Sequence, residues 1–147
     1  MKMTNQDYGE YVKTKSPNSK TGRNLIRAFL TGGVICCVGQ GLNNLYQSLQ
    51  LNEETAATAA SITLVFLGAL LTGLNLYDNI AKFAGAGTLV PITGFANSVV
   101  APALEFKTEG YVMGLGAKMF TIAGPVIVYG TAASVIYGLV LVLIRAL

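Results

Sequence analysis

The chain of 147 residues contains no histidine, two cysteines and few charges, with 12% of positions Asp, Glu, Lys or Arg. Without histidine it lacks the side chain that most often serves as general base or metal ligand near neutral pH. No G-x-S-x-G elbow occurs, and Gly85-x-Gly87 lacks the strand-to-helix context of a nucleotide loop. No catalytic residue, cofactor or metal site is therefore expected. Cys36 and Cys37 are adjacent in the first apolar run, a spacing that suits neither zinc nor a disulfide framework. They read as buried small residues. The charge content is about half that of an average soluble domain. A very apolar soluble bundle is the alternative, but its long helices would still need a charged outer face.

What is present is apolar length. Hydrophobic residues make up 52% of the chain. Ala28 to Asn52, Thr55 to Tyr77 and Met119 to Ile144 are uncharged windows of 25, 23 and 26 residues. A spanning helix needs roughly 20 such residues to cross a hydrocarbon core about 30 Å thick. The expected fold is all-α: a polytopic integral membrane protein with three full transmembrane helices. Membrane lipid is thus its first partner.

Charge is unevenly placed. Lys2, Lys13, Lys15, Lys20, Arg23 and Arg27 precede Ala28, against Asp7 and Glu10. Basic residues next to a first span are retained in the cytoplasm, so residues 1–23 read as a basic cytoplasmic tail and 24–147 as one transmembrane domain. SPNSKTG marks loop or flexible tail, with a short amphipathic turn near Tyr8 to Val12. The tail has no interleaved aromatics, so no nucleic acid is expected as a partner. The first apolar run is too long for a signal-peptide core and no clear cleavage site follows it. Gln40, Asn43 and Asn44 in that run should face protein or water. In the second run Thr55 is a candidate cap, and Ala56, Ala57, Ala59, Ala60 and Ser61 form a small face suited to close packing. The run should end at Leu76-Tyr77-Asp78, an interfacial aromatic beside a charge.

One stretch departs from this pattern. Phe83 to Leu104 is uncharged and long enough to span, yet it holds Gly85, Gly87, Pro91, Gly94 and Pro102, with Thr88, Thr93, Asn97 and Ser98. In a soluble helix each glycine costs about 1 kcal/mol and each proline about 3 relative to alanine. Membranes admit such breaks where protein or water satisfies the freed backbone groups. The expected form is a broken or re-entrant element: a short helix near Asn79 to Ala84, an irregular GAGTLVPITG centre, and a second helix from Phe95 to Leu104. Discontinuous helices of this kind build solute sites near the midplane; a kinked, purely structural helix is the plainer alternative. The candidate substrate path comprises Lys82, Gly85, Gly87, Thr88, Pro91, Thr93, Asn97, Glu105 and Lys107. The lysines are fixed positive charges, and the exposed amides would attract an anion at a half-helix N-terminus. Glu105 and Glu109, at i and i+4 around Lys107, read as a solvated boundary helix rather than a catalytic pair. The last run contains Gly124-Pro125, where a kink is expected. Arg27, Phe29, Gly33 and Gly39 match Lys118, Phe120, Gly124 and Gly130 at a constant offset, which reads as coincidence.

Tyr77 to Gly110, YDNIAKFAGAGTLVPITGFANSVVAPALEFKTEG, followed by GLGAKMFTIAGPVIVYG, resembles the stage V sporulation protein AC/AEb family of spore-forming Firmicutes. The likeness is strong from Tyr77 to Leu139 and less distinctive before it. The long polar tail is similar to the AC branch, while APALEFKTEG and AGPVIVYG also suit AEb. The resemblance implies a subunit of an inner-spore-membrane complex that moves dipicolinic acid with calcium during sporulation and germination. It implies a tension-responsive channel, and as partners an AEb-like membrane subunit and a soluble thiolase-like AD protein. A non-conducting scaffold that docks the thiolase-like partner is the reading of another class; a membrane enzyme is the weakest.

Overall fold

The computed structural model describes residues 4–16 and 19–146. Lys2, Pro17, Asn18 and Leu147, which entered the reading of the tail and the domain, lie outside the described residues. Helix α1 spans Asn5–Lys15, α2 Thr21–Ser48, α3 Glu53–Gly73, α4 Leu76–Ala84, α5 Pro91–Glu105 and α6 Phe120–Ala146. No strand occurs among the described residues. Three segments are long and apolar enough to cross a membrane: α2, α3 and Tyr111–Arg145. The chain is an all-α polytopic membrane protein with three spans and one broken membrane element.

Part of the tail is helical rather than loop. Thr4 caps α1 reciprocally: its hydroxyl accepts from Asp7 N at 3.3 Å, and the Asp7 carboxylate accepts from Thr4 N at 3.2 Å. The Thr4 hydroxyl and backbone N–H, donating to that carboxylate, hold the Asp7 pKa below its usual value. At the α2–α3 turn, Asn52 and not Thr55 is the cap, its Oδ1 accepting from Thr55 N at 2.8 Å.

Helix α3 is the centre of the packing. Ala56, Ala60, Leu64, Gly68 and Thr72 recur every four residues and are all buried, forming one stripe on one face. The small face expected there exists, although Ala57 points outward. Helix α2 packs antiparallel on this stripe, with Tyr46 Oη 2.7 Å from Thr63 Oγ1 near one end and Gly39 facing Leu64 midway. Asn43 turns toward α3, while Gln40 donates to Asn44 Oδ1 at 2.8 Å on the exposed side. Cys36 and Cys37 are exposed, contrary to the expectation of burial. Adjacent residues sit about 100° apart on a helix, and only one side of α2 is covered.

The second apolar run ends earlier than its composition suggested. Asn75 adopts a left-handed φ of 57° and stops α3 at Gly73. Leu76 and Tyr77 then open α4, and Tyr77 is buried at 4% exposure rather than interfacial. After α4 come a 3₁₀ turn at Gly85–Thr88 and then α5, which starts at Pro91, four residues before the expected Phe95. Pro91 at the first helical position loses no hydrogen bond and presets φ, so the irregular centre is short. Gly68 faces Thr93 and Ala96, and Thr72 meets Asn97. Four residues along α3 thus correspond to about four along α5, and the two run parallel. The chain between them must return toward mid-depth and then retrace it. Val90 and Ile92 share a cavity with Gly39 and Leu64, about 14 Å from the Gly73 level at 1.5 Å per residue. Ala101 and Glu105 lie beside Gly73 and Asp78 again. The broken element is therefore re-entrant: it reaches about half the bilayer and leaves by the end at which it entered.

A 3₁₀ turn at Lys107–Glu109 and a π-helical turn at Tyr111–Gly116 join it to α6. Gly110 has φ 105°, and a side chain at Gly114 would run into the Phe106 carbonyl. These two glycines make a corner between the hairpin and α6. Lys118 Nζ lies 5.0 Å from the Phe106 ring centre. Helix α6 continues through Pro125, and Ala123 is its one buried apolar residue among those described.

Candidate functional site

The re-entrant hairpin is held by close backbone approach and a buried hydrogen bond. A Cβ on Gly87 would stand 2.5 Å from the Ala28 carbonyl oxygen and 2.8 Å from its Cα. A Cβ on Gly94 would stand 2.8 Å from Thr88 O. Gly85 has φ 55°, a left-handed conformation that glycine adopts without cost. The Thr88 carbonyl is buried at the end of the 3₁₀ turn, and Tyr77 Oη donates to it at 3.0 Å. Thr88 Oγ1 donates to Gly85 O at 3.0 Å. In hydrocarbon neither carbonyl could find water, so these bonds are what permits the break.

The sequence-predicted residues fall into separate places. Asn97 and Glu105 come together with Thr72, Asn75 and Asp78 around a vestibule of about 520 Å³ at the Gly73 end. Thr72 Oγ1 lies 2.7 Å from Gly68 O and 2.9 Å from Asn97 Oδ1, so its single proton is shared between two acceptors. The Asn97 amide is thereby anchored by its oxygen. Thr93 lies deeper, 7% exposed, with its hydroxyl unpartnered. Pro91 begins α5, whose first turn receives no side-chain cap. On the other side of this turn, toward Asn52, a cavity of about 300 Å³ is lined in part by Gln40, Asn43 and Ser61, and Asn43 Oδ1 is buried without a partner. An apolar gap of about 160 Å³, bounded by Val34, Leu64, Leu67, Tyr77 and Thr93 among others, lies at a depth between that mainly apolar cavity and the vestibule.

Gly85, Gly87 and Thr88 shape the hairpin rather than line the vestibule. Lys82 does not line the vestibule but stands at its edge: it pairs with Asp78, a vestibule residue, at 2.6 Å, both side chains about 70% exposed, and it borders a cavity with Arg27. Lys107 is exposed in the 3₁₀ turn and lines none of these cavities. Among the described residues no group of three or more Cys, Asp or Glu is placed to hold a metal. Sequence reasoning missed Tyr77, Thr72 and Gly68, which fix the hairpin. The four-residue spacing of Ala60, Leu64, Gly68 and Thr72 was the available signal.

A family model described as SpoVAC/SpoVAEB sporulation membrane protein matches residues 24–140. Stage V sporulation protein AC of Bacillus subtilis (strain 168) is 48% identical over 141 residues, covering 94% of each chain. No solved structure matches.

Proposed function

The chain belongs to the SpoVAC/SpoVAEB sporulation membrane protein family, and from that premise we propose that it is a membrane subunit of a spore inner-membrane complex moving dipicolinic acid with calcium. The observation that carries the reading is the re-entrant hairpin. Its second half-helix begins at mid-depth with uncapped amides, and Asn97 lies on the wall of a polar vestibule. The Asn97 nitrogen has no hydrogen-bond partner among the described residues, which leaves two donors for a carboxylate. The α5 N-terminus adds a positive dipole end about 9 Å deeper, six residues before Asn97. Asp78 and Glu105 at the rim fit calcium travelling with the dianion, since hard cations take carboxylate oxygens. The apolar gap around Leu64 and Thr93 acts as the closed barrier at mid-depth, beyond the vestibule, in the manner of a dewetted constriction; membrane tension is the proposed opening force.

The basic tail orients the N-terminus to the cytoplasm, so the vestibule opens there and Asn52 lies outside. The complex includes an AEb-like membrane subunit and a thiolase-like soluble protein. Proteoliposomes of the purified chain, alone and with those subunits, should release dipicolinate, and Asn97→Leu should reduce release at equal protein level. A cysteine at Asn52, with Cys36 and Cys37 replaced, should react with an impermeant thiol reagent from outside. No flux under tension in any combination would favour the second reading, a non-conducting scaffold. That reading draws on α6, whose apolar sides the chain itself leaves almost wholly uncovered.

A further inference from the structure

Beyond Lys82, on the α2 side of the hairpin, lies a different kind of site. A cavity of about 370 Å³ between the first turns of α2 and the end of α4 is bordered by Asn24, Arg27 and Lys82. Arg27 is held in place by its contact with Phe83, 4.6 Å from guanidinium carbon to ring centre. The Asp78–Lys82 pair is the only ion pair among the described residues, so Arg27 has no carboxylate partner. This cavity opens directly into an apolar groove of about 540 Å³, with which it shares Leu25, Ala28 and Ala86. The groove climbs α2 past Phe29 and Gly33 to Cys36 and is closed on the other side by Leu89 and Val90.

A cationic recess at the membrane boundary, continuous with an apolar channel that runs inward, has the shape and polarity of one amphiphile. We propose that this is a binding site for an anionic phospholipid, the phosphate held by Arg27 and Lys82 and one acyl chain laid along α2 between Phe29 and Val90. The charge fits: Lys20 and Arg23 add to Arg27 and Lys82 on the same end of α2, against Asp78. The depth fits as well. Arg27 immediately precedes the first uncharged run, where a phosphate sits at the hydrocarbon edge. From Arg27 to Cys36 is about 14 Å of helix, the depth of one leaflet. Such a lipid would form the outer wall of the 3₁₀ turn, because Gly87 and Leu89 border both the groove and the hairpin tip. The site shares no lining residue with the vestibule, the Lys82–Asp78 pair standing between them, and it does not depend on what passes through the vestibule.

The test is lipid binding to the purified full chain in neutral detergent, read by native mass spectrometry and thermal shift. Dioleoylphosphatidylglycerol, dioleoylphosphatidylcholine and soluble glycerol phosphate are titrated in turn. Phosphatidylglycerol should bind more tightly than phosphatidylcholine. Each of Arg27→Gln and Lys82→Gln should weaken it about fivefold, the factor for roughly 1 kcal/mol per juxtamembrane basic residue. Gly33→Leu is the chain-blocking variant: a Cβ there meets nothing within 4 Å of the protein, so leucine fills the groove without disturbing the fold. It should weaken both phospholipids while keeping the headgroup preference. Equal binding of the two phospholipids would overturn the site. So would a loss in Arg23→Gln, outside the recess, as large as that in Arg27→Gln, since the preference would then belong to the diffuse charge of the tail. Glycerol phosphate competing as well as phosphatidylglycerol, with Gly33→Leu silent, would replace the lipid by a free anion and also overturn it.

Discussion

The re-entrant hairpin and α6 pack in the order opposite to their hydrophobicity: α6 is the more apolar of the two and the less covered. Gly87 and Gly94 of the hairpin, and Gly68 of α3 against it, each face another backbone closely enough that an added Cβ would meet an atom at 3.2 Å or less. In α6, Gly130 and Gly138 meet nothing within 4 Å, and Tyr137 and Val142 are exposed at 64% and 65%. Lipid tails are as apolar as leucine, so hydrophobicity alone does not bring membrane helices together; close contact and hydrogen bonds do. The hairpin has both. Helix α6 is tied near Ala123 and through Lys118 on Phe106, and otherwise presents apolar sides to lipid or to other subunits.

Glycine substitution is the strongest way to break this contrast. Gly87→Ala puts a methyl against backbone atoms of Ala28, which cannot rotate away. Overpacking of this kind costs about 1–3 kcal/mol, and Gly87→Leu should abolish the folded hairpin. Gly138→Ala should be neutral or stabilise by about 0.5–1 kcal/mol, the usual helix preference. Thermal unfolding of the purified variants in detergent measures both. If Gly138→Ala is silent in the isolated chain but weakens the assembled complex, α6 is the assembly surface. A Gly87→Ala chain as stable as the parent would remove the close α2–hairpin contact.

Next in size is the buried hydrogen bond. Tyr77→Phe keeps the ring and deletes the donor to Thr88 O. A buried acceptor left unmade costs about 1–3 kcal/mol. Tyr137→Phe on α6, 64% exposed, should change the unfolding temperature little. Equal effects of the two would show that the Thr88 carbonyl reaches water.

The contrast also explains what was legible in advance. The three spans follow from uncharged length, which composition states directly. The broken element was legible because clustered prolines and glycines weaken a helix, and Gly85 and Pro91 stood out for that reason. Its start was misplaced because Asn75 at φ 57° stops α3 inside an apolar run, and no residue pattern there separates Leu76 from a continuing span. Tyr77 read as interfacial because an aromatic beside Asp78 looks the same whether its ring points out or in. The lysines were grouped with Asn97 by sequence proximity, whereas neither lines the vestibule: Lys82 stands at its edge, paired with Asp78, and Lys107 lies in the following 3₁₀ turn. The cysteines show the reverse limit: small apolar residues in a membrane helix carry no signal of which side another helix will cover.

A smaller effect is expected from the vestibule wall. Asn97→Ala removes the amide but leaves Thr72 its bond to Gly68 O, so the loss of stability should stay near 1 kcal/mol. Dipicolinate flux should nevertheless fall severalfold. Ser134→Ala on α6, whose hydroxyl bonds only to Gly130 O within its own helix, is the matched control and should leave flux unchanged. A drop in flux in proportion to the drop in stability, and no more, would make Asn97 a structural residue.

The smallest effects belong to the boundary lysines. Lys82 is paired with Asp78 at 2.6 Å, but both side chains are about 70% exposed, and exposed pairs contribute about 0–1 kcal/mol. Lys107 is exposed in its 3₁₀ turn. Lys82→Gln and Lys107→Gln should therefore unfold close to the parent temperature. Each lies outside the vestibule lining, so any influence on a dianion acts across solvent and is screened over about 10 Å at 0.1 M salt. Flux should fall less than with Asn97→Ala, and the fall should be larger at 10 mM than at 300 mM salt. Lys82→Glu/Lys107→Glu should exceed the Gln pair at low salt, through repulsion of the dianion. Lys82 should matter more than Lys107 if the α4 side guides the solute, because its charge is in contact with Asp78 at the vestibule rim. Unchanged flux in the double Glu variant at both salts, with normal membrane levels by immunoblot, would remove both lysines from the path and leave the polar hairpin wall to act alone.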